Sequence, residues 1–219
     1  MNTRDELKNN GFALLEKLDP EYFLDEIAEH LGRAWTGTKD AKSHLLMPHE
    51  KSASTPNTYS GNYGLGAFPL HTDLAHWRKP PRYLILRCKV AAPDVATTLL
   101  DGKTIVATCG ETVLSRALVR PRRPIQGSIP LLRLYQPTEG KFGMLRWDQM
   151  FIKPSSKNGT LGFNLVMDVI AREQVDNVYF NDPGDTLIID NWRMLHGRSS
   201  VPKGSEGRVI ERIYLEELN

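Results

Sequence analysis

Residues 184–198 read GDTLIIDNWRMLHGR, an aliphatic strand that ends in a turn carrying His196. Upstream, residues 68–73 read FPLHTD and place His71 and Asp73 two residues apart. Residues i and i+2 of an extended strand project from the same face, so this imidazole and this carboxylate can bind the same metal ion. An isolated HxD pair is a weak signal, but the second segment supplies a third potential ligand. The sequence therefore predicts a metal site built from both segments.

A third segment places two cations on one face of a strand. Residues 208–215 read RVIERIYL, so Arg208 and Arg212 project to the same side. Arginine presents a rigid, permanently charged fork that binds a carboxylate through two hydrogen bonds. Surface salt bridges are the commoner role of strand arginines, but the position of this strand after His196 favours a carboxylate near the metal. Two histidines and one carboxylate form the facial triad of non-haem iron(II) sites, which leaves adjacent positions open.

The composition is that of an ordinary globular protein. The 219 residues are 40% hydrophobic and 25% charged, with a formal net charge of +2. Scattered basic residues at this net charge lack the footprint of a nucleic-acid-binding protein. The two cysteines form no CxxC pair, and the polar amino terminus has neither the apolar core of a signal peptide nor a membrane span. We therefore expect one domain over residues 1–219, a cytoplasmic location, and no nucleic acid or membrane as partner.

Short aliphatic segments bounded by Gly, Pro or Asp predict a β-rich core. The predicted strands are residues 11–17, 82–90, 95–101, 186–190 and 208–215. Residues 52–66 are crowded with Ser, Thr, Asn, Tyr and Gly, which indicates a mobile connection rather than a packed element. Because this connection leads into His71, it is a candidate lid.

Two helices are predicted to cover the sheet. The first helix follows Asp19, which suits the N-cap, and Pro20, which suits the first helical position. It is predicted to end at Gly32. Its apolar stripe is Phe23, Leu24, Ile27 and Leu31. The second helix is predicted from about Thr160 to Glu173.

Together these segments resemble the taurine dioxygenase-like branch of the iron(II)/2-oxoglutarate oxygenases, which includes clavaminate synthase and γ-butyrobetaine hydroxylase. The resemblance spans about residues 60–215. It rests on HTD at 71–73, Pro80-Pro81, the strand at 83–89, GDxLIxDNxRxLHGR at 184–198 and GRxxxR at 207–212. It implies a mainly β fold with flanking helices, a double-stranded β-helix or distorted jelly roll, with the site at the mouth between two sheets.

The resemblance also implies roles for individual residues. The implied ligands of the catalytic iron(II) are His71, Asp73 and His196. Arg208 is expected to bind the distal carboxylate of the co-substrate 2-oxoglutarate. Thr98 is the expected hydroxyl partner, although the run VATT leaves the choice between Thr97 and Thr98 open. Arg212 matches a position near the co-substrate and the substrate.

Other side chains are candidates for support or substrate contact. Asp190 and Asn191 precede the turn of His196 and could support a ligand or simply cap the turn. Four residues follow the metal-binding turn or lie in a loop before Pro154, where they could line a polar pocket. These candidate substrate-binding residues are His76, Trp77, Arg146 and Asp148.

The expected activity is that of an iron(II)- and 2-oxoglutarate-dependent dioxygenase. Such an enzyme uses O2 to hydroxylate an unactivated C–H bond, and it releases succinate and CO2. The resemblance favours a small polar metabolite, such as an amino-acid derivative, as the substrate. Desaturation and cyclisation stay open, whereas Asp73 argues against halogenation because related halogenases carry a small residue in its place.

Two other classes are alternatives, and the oligomeric state is left open. A zinc hydrolase could use the same three ligands, but it has no stated need of the strand that carries Arg208 and Arg212. A non-catalytic jelly-roll binding module would have kept the fold and lost the chemistry. The complete set of ligands speaks against the binding module.

Overall fold

The computed structural model describes residues 3–19, 21–37, 42–138 and 141–219. Its strands are β1 (Phe12–Leu15), β2 (Gly32–Ala34), β3 (His44–Leu46), β4 (Phe68–His71), β5 (Tyr83–Val90), β6 (Ala96–Asp101), β7 (Leu118–Pro121), β8 (Leu132–Arg133), β9 (Tyr135–Thr138), β10 (Lys141–Leu145), β11 (Ile152–Pro154), β12 (Asp176–Tyr179), β13 (Thr186–Asp190), β14 (Met194–Arg198) and β15 (Val209–Leu218). Its α-helices are α1 (Thr3–Asn10), α2 (Leu24–Leu31), α3 (Tyr59–Tyr63), α4 (Gly102–Cys109), α5 (Glu111–Arg116) and α6 (Lys157–Ile170). A 3₁₀ turn spans Lys51–Ala53.

Two antiparallel sheets form the centre of the fold. The larger sheet has the strand order β1-β13-β5-β15-β2, and β3 also pairs with β15. The smaller sheet has the order β12-β6-β14-β4. The chain is therefore mainly β, as its strand patterns predicted, and the segments carrying the metal-site motifs reach both sheets.

The two sheets bury an apolar layer between them. Leu84 and Leu86 of β5 and Ile210 of β15 contribute from the larger sheet, and Leu99 of β6 and Met194 of β14 contribute from the smaller one. Each of these side chains is almost completely buried. Burial of aliphatic side chains is the main favourable contribution to folding, so this layer fixes how the sheets face each other.

Helices cover the outer faces of both sheets. Leu7 of α1 and Leu24 of α2 pack with Ile85, Ile188 and Ile213 on the back of the larger sheet. On the other side of the molecule, helices α4, α5 and α6 pack with strands β7 to β10 and with Leu100 and Leu195 of the smaller sheet. The short helix α3 lies apart from these groups, at the edge where the sheets carry the candidate ligands.

The start of the first predicted helix was wrong. Helix α2 begins at Leu24, and Asp19 has a positive φ of 33° that removes it from the capping position. The backbone N–H of Phe23 instead donates to the Glu26 carboxylate at 3.1 Å, so Glu26 satisfies the donor at the start of the helix. Pro20 lies outside the described residues, and Phe23 is exposed rather than part of the buried stripe.

The second predicted helix is confirmed with shifted ends. Helix α6 begins at Lys157, because the Ser156 hydroxyl accepts the N–H of Gly159 at 2.8 Å and caps the first turn. Residues 52–66, predicted as a mobile connection rather than a packed element, contain the short helix α3. Among the described residues, no helix combines the length and apolar character that crossing a membrane requires.

Replacing Arg193 tests how the amino-terminal helix is attached to the sheets. The buried guanidinium donates to the carbonyls of Lys8 and Asn9 at 2.9 and 2.8 Å and to both Asp101 oxygens at 2.9 and 2.5 Å. Because Arg193→Met leaves these acceptors without their donor, the free energy of unfolding should fall by about 3 kcal/mol in urea titrations.

The matched control is Arg33→Met, because Arg33 pairs with Glu216 and Glu217 on the surface. Exposed ion pairs contribute little, so this variant should lose less than about 1 kcal/mol. Equal losses for the two variants would contradict the proposed role of Arg193.

Candidate metal centre

Pairing of β4 with β14 places two imidazoles side by side. His71 is the register partner of His196, and their ring centroids lie 4.5 Å apart. Gly197 permits this close approach, since a Cβ atom at that position would lie 2.6 Å from the Phe68 carbonyl oxygen. The strand register therefore brings together ligands that lie far apart in the sequence.

Asp73 completes a compact, buried cluster. Its Oδ1 atom lies 3.3 Å from His71 Nε2 and 3.6 Å from His196 Nε2. One ligand atom from each residue lies within 4.8 Å of the others, a spacing that one metal ion can bridge. All three side chains are at most 9% exposed. The three predicted ligands thus meet at one point.

The hydrogen bond of the His71 imidazole suits metal binding, whereas the described residues provide none for His196 Nδ1. His71 Nδ1 donates to the Pro69 carbonyl at 2.9 Å, which leaves Nε2 as a lone-pair donor facing Asp73. His196 Nδ1 is buried and has no hydrogen-bond partner among the described residues. Burial alone would lower the pKa of His71, but the nearby Asp73 carboxylate has the larger effect and raises this pKa. The pKa of His196 is lowered by burial and by the charge of His71.

The two oxygens of Asp73 have different partners. Oδ2 accepts the Tyr214 hydroxyl at 2.7 Å and lies 3.4 Å from Arg212 Nη1. Burial would raise the pKa of Asp73, but Arg212 and the two imidazoles hold it well below its ordinary value. The carboxylate is therefore ionised, and its Oδ1 is left to face the imidazoles. Arg212 thus contacts a predicted metal ligand, and it also lines the cavity beside the cluster.

Asn191 fixes the backbone of Asp73. Its side-chain oxygen accepts the Asp73 N–H at 2.7 Å, and its amide nitrogen donates to the carbonyls of Asp73 and Pro81 at 3.0 and 2.9 Å. These three bonds tie the segment after β4 to the turn between β13 and β14. Asp190 instead caps that turn by accepting the N–H of Trp192 at 3.1 Å.

Tyr59 is a site residue that the sequence analysis missed. Its ring stacks on His71 with centroids 4.2 Å apart, and its hydroxyl bonds with the Asp148 carboxylate. Burial, followed by the charges of Asp148 and Asp73, raises the pKa of this phenol. The contact joins helix α3 to strand β4, so helix α3 packs directly on a ligand.

A cavity of about 400 Å³ opens beside the three ligands. Arg208 lines this cavity, is only 7% exposed, and has no carboxylate within ion-pairing distance among the described residues. Burial lowers its pKa to about 10, which still leaves the guanidinium charged at neutral pH. A buried cation without a partner is costly, so the cavity is suited to an anion.

The register of β6 decides which threonine faces the cavity. Thr97 is buried and lines the cavity, whereas Thr98 lies on the opposite face of the strand, opposite Gly197 of β14. Successive side chains of a strand alternate between its faces, so only one of the two can point inwards. Thr98 is therefore replaced by Thr97 as the candidate hydroxyl.

None of the four candidate substrate-binding residues lines this cavity. Arg146 is buried and donates to the carbonyls of Ala75, Trp77 and Arg78 at 2.8, 2.6 and 3.1 Å. Asp148 accepts the N–H groups of the two residues at 150 and 151 at 2.7 and 3.0 Å, besides its bond with Tyr59. His76 and Trp77 line a separate cavity of about 430 Å³ beside Trp35. Arg146 thus fixes the backbone of the 75–78 segment, and none of the four side chains reaches the lining of the metal-site cavity.

No family model matches the sequence. Three solved structures are similar to the chain along nearly its whole length. Asparagine oxygenase with Fe(II), 3-hydroxyasparagine and succinate aligns at a TM-score of 0.67 and 14% identity, over 98% of this chain and 79% of that one. PvcB from Pseudomonas aeruginosa aligns at 0.67 and 16%, over 97% and 78%. The non-heme iron oxygenase OrfP with Fe aligns at 0.67 and 20%, over 98% and 79%.

These similarities define the fold of the chain. PvcB is described as an Fe, alpha-ketoglutarate-dependent oxygenase, and OrfP has been solved with alpha-ketoglutaric acid. The chain therefore has the fold of the iron(II)/2-oxoglutarate oxygenases. The resemblance inferred from the sequence motifs is confirmed at the level of the fold.

Replacing Asn191 tests the link between the two motifs. Asn191→Asp keeps the shape of the side chain but removes both amide donations, and it places a negative charge beside the Asp73 carbonyl. Such supporting contacts typically contribute 10- to 100-fold to metal affinity, so the dissociation constant for a divalent metal should rise by roughly that factor. The same change at the exposed Asn177 should leave the affinity unchanged in calorimetric titrations. Equal affinities for the two variants would contradict this role.

Replacing Tyr214 tests how Asp73 is oriented. Tyr214→Phe removes the 2.7 Å hydrogen bond to Asp73 Oδ2 and frees that oxygen to turn toward a bound metal. The absorption spectrum of a Co(II)-loaded sample should change in intensity because the ligand geometry changes, and metal affinity should fall by about tenfold. The exposed Tyr179 provides the control for the same substitution. A cobalt spectrum identical to that of the parent protein would exclude the orienting role.

Proposed function

We propose that this chain is an iron(II)- and 2-oxoglutarate-dependent dioxygenase that hydroxylates an unactivated C–H bond of an amino-acid derivative. The observation that carries the proposal is the buried, unpaired Arg208 in the same cavity as His71, Asp73 and His196. A metal cluster beside an unneutralised cation suits a ligand that binds the metal at one end and presents a carboxylate at the other. A hydrolase would need only the metal cluster.

The donor set suits iron(II). His71 Nε2, Asp73 Oδ1 and His196 Nε2 would hold the ion from one side and leave adjacent positions toward the cavity. When bound, iron and 2-oxoglutarate supply chemistry that couples decarboxylation to succinate and CO2 with transfer of one oxygen atom of O2 to the substrate. Tyr214 and Arg212 hold the second oxygen of Asp73, so that a single oxygen of the ligand is presented.

The far side of the cavity suits the co-substrate. Arg208 would bind the distal carboxylate of 2-oxoglutarate through two hydrogen bonds, and Thr97, on strand β6 of the smaller sheet, lines the same cavity. Leu84, Leu86 and Ile210 also line the cavity and would enclose the methylene carbons. Packing against the methylenes and pairing with the carboxylate together fix the orientation of the co-substrate.

Complexes of the similar structures support hydroxylation of an amino-acid derivative. Asparagine oxygenase has been solved with 3-hydroxyasparagine and succinate, and OrfP with (3S)-hydroxy-L-Arg and succinate. Each complex contains a hydroxylated amino acid together with succinate. For the present chain we likewise propose a hydroxylated amino-acid derivative and succinate as products. Its substrate would differ from asparagine and arginine.

The proposal includes the finer architecture. The two facing antiparallel sheets would correspond to the double-stranded β-helix, in one domain spanning residues 1–219 of a cytoplasmic enzyme. Residues 52–66 would act as a lid, because Tyr59 of α3 stacks on His71 and lines the cavity. Closure of such a segment over a substrate excludes water from the reacting atoms.

The test is succinate formation by iron(II)-loaded protein given 2-oxoglutarate and O2, followed by NMR. Arg208→Gln should raise the 2-oxoglutarate concentration required for half-maximal turnover by roughly 10- to 100-fold, because a charge-assisted bidentate pair is lost. Arg33→Gln, which changes an exposed arginine, is the control and should leave that concentration unchanged. The proposal would be contradicted if the parent protein formed no succinate. It would also be contradicted if Arg208→Gln needed the same 2-oxoglutarate concentration for half-maximal turnover as the parent protein.

A further inference from the structure

Apart from Arg208, the charged side chains that line the metal-site cavity already have partners within the protein. Arg198 donates to the carbonyls of Gly64 and Gly66 at 2.7 and 2.8 Å and stacks over the Phe68 ring at 3.7 Å. Arg212 lies against Asp73, and Arg208 is assigned to the co-substrate in the proposed function. No cation of the described lining is therefore left for the prime substrate.

The cavity also offers no free carboxylate. Asp73 is the only acidic residue in the described part of the lining, and both of its oxygens face the imidazoles, Tyr214 or Arg212. Thr58 is occupied as well, because its hydroxyl donates to the Thr55 carbonyl at 2.6 Å and accepts the N–H of Gly61 at 3.1 Å. A buried ammonium group needs a carboxylate or several acceptors to replace its water. Ser60 and His49 also line the cavity, but neither supplies a carboxylate, so the ammonium of a free amino acid has no counter-ion among the described lining residues.

Two groups of apolar side chains line the cavity, alongside the exposed His49. Tyr59, Phe68 and Phe151 form an aromatic cluster with centroid separations of 5.5 and 5.9 Å from Tyr59. Leu45 and Met47, in and just after strand β3 of the larger sheet, line the same cavity and are 62% and 45% exposed. Exposed apolar side chains grouped at a cavity mouth mark a surface that an apolar ligand covers.

We infer that the prime substrate is an amino-acid derivative with an apolar side chain and an uncharged nitrogen, such as an acylated amine. This inference rests on the proposed function and narrows it. The aromatic cluster and the exposed pair at 45 and 47 would enclose the apolar side chain. The uncharged nitrogen would avoid the cost of burying an ammonium group without a counter-ion.

The test is calorimetric binding, without O2, to protein loaded with iron(II) and 2-oxoglutarate. The probes are L-phenylalanine, N-acetyl-L-phenylalanine, L-phenylalanine amide and N-acetyl-L-phenylalanine amide, with the four corresponding asparagine compounds. Each acetylated probe should bind at least about tenfold more tightly than its free-amine counterpart, because the counterpart must bury an unpaired ammonium. Each phenylalanine compound should bind more tightly than the matching asparagine compound.

A substitution at the cavity mouth should weaken the preference for acetylated probes if the inference is correct. Met47→Glu places a carboxylate on the wall at a position that is 45% exposed, so folding should be preserved. Free-amine probes should then gain about fivefold or more in affinity, whereas Met47→Gln, which adds no charge, should not improve them.

The outcomes separate the inference from the proposed function. Failure of the protein to bind 2-oxoglutarate would overturn both. Normal 2-oxoglutarate binding with free amines bound as tightly as acetylated probes, or with no acetylated probe bound, would overturn the inference alone.

Discussion

The side-chain amide of Asn191 carries the interaction on which the metal centre depends. It accepts from the backbone N–H of Asp73 and donates to its carbonyl, and so holds the segment after β4 against the turn that leads into β14. Pairing of β4 with β14 then places His71 opposite His196. Because the amide bonds and the strand register act on the same two segments, the three ligands are fixed before any metal binds. This preorganisation lowers the cost of collecting the ligands.

The kind of ligand that the cavity would bind depends on which of its buried charges already have partners. Arg212 is balanced by Asp73, and Arg198 is satisfied by two carbonyls of the segment that follows α3. Arg208 alone has neither kind of partner among the described residues. Since an unpaired buried cation costs stability, its presence is best explained by an anionic ligand. The described lining of the same cavity has no carboxylate besides Asp73, and the proposed substrate without a free ammonium group follows from that observation.

The parts of the fold that depend on local pattern could be predicted from the sequence. The strands at 82–90, 186–190 and 208–215 were recovered, because short aliphatic segments bounded by Gly, Pro or Asp are typical of strands. The three predicted ligands lie together in the structure, and each could be picked out because the motif that contains it, HTD at 71–73 or LHGR at 195–198, is local. The start of helix α2 was missed because Glu26, three residues along the chain from Phe23, serves as the cap in place of Asp19.

Features that depend on register or distant contacts could not be predicted. The choice between Thr97 and Thr98 follows from the pairing of β6 with β14, which the run VATT does not specify. The stacking of Tyr59 on His71 joins a helix to a strand across the cavity. The most direct test of the central claim is the visible charge-transfer band of the protein with iron(II) and 2-oxoglutarate in the absence of O2. A band in the parent protein that disappears in His196→Ala is the predicted result, and its absence from the parent protein would contradict the account.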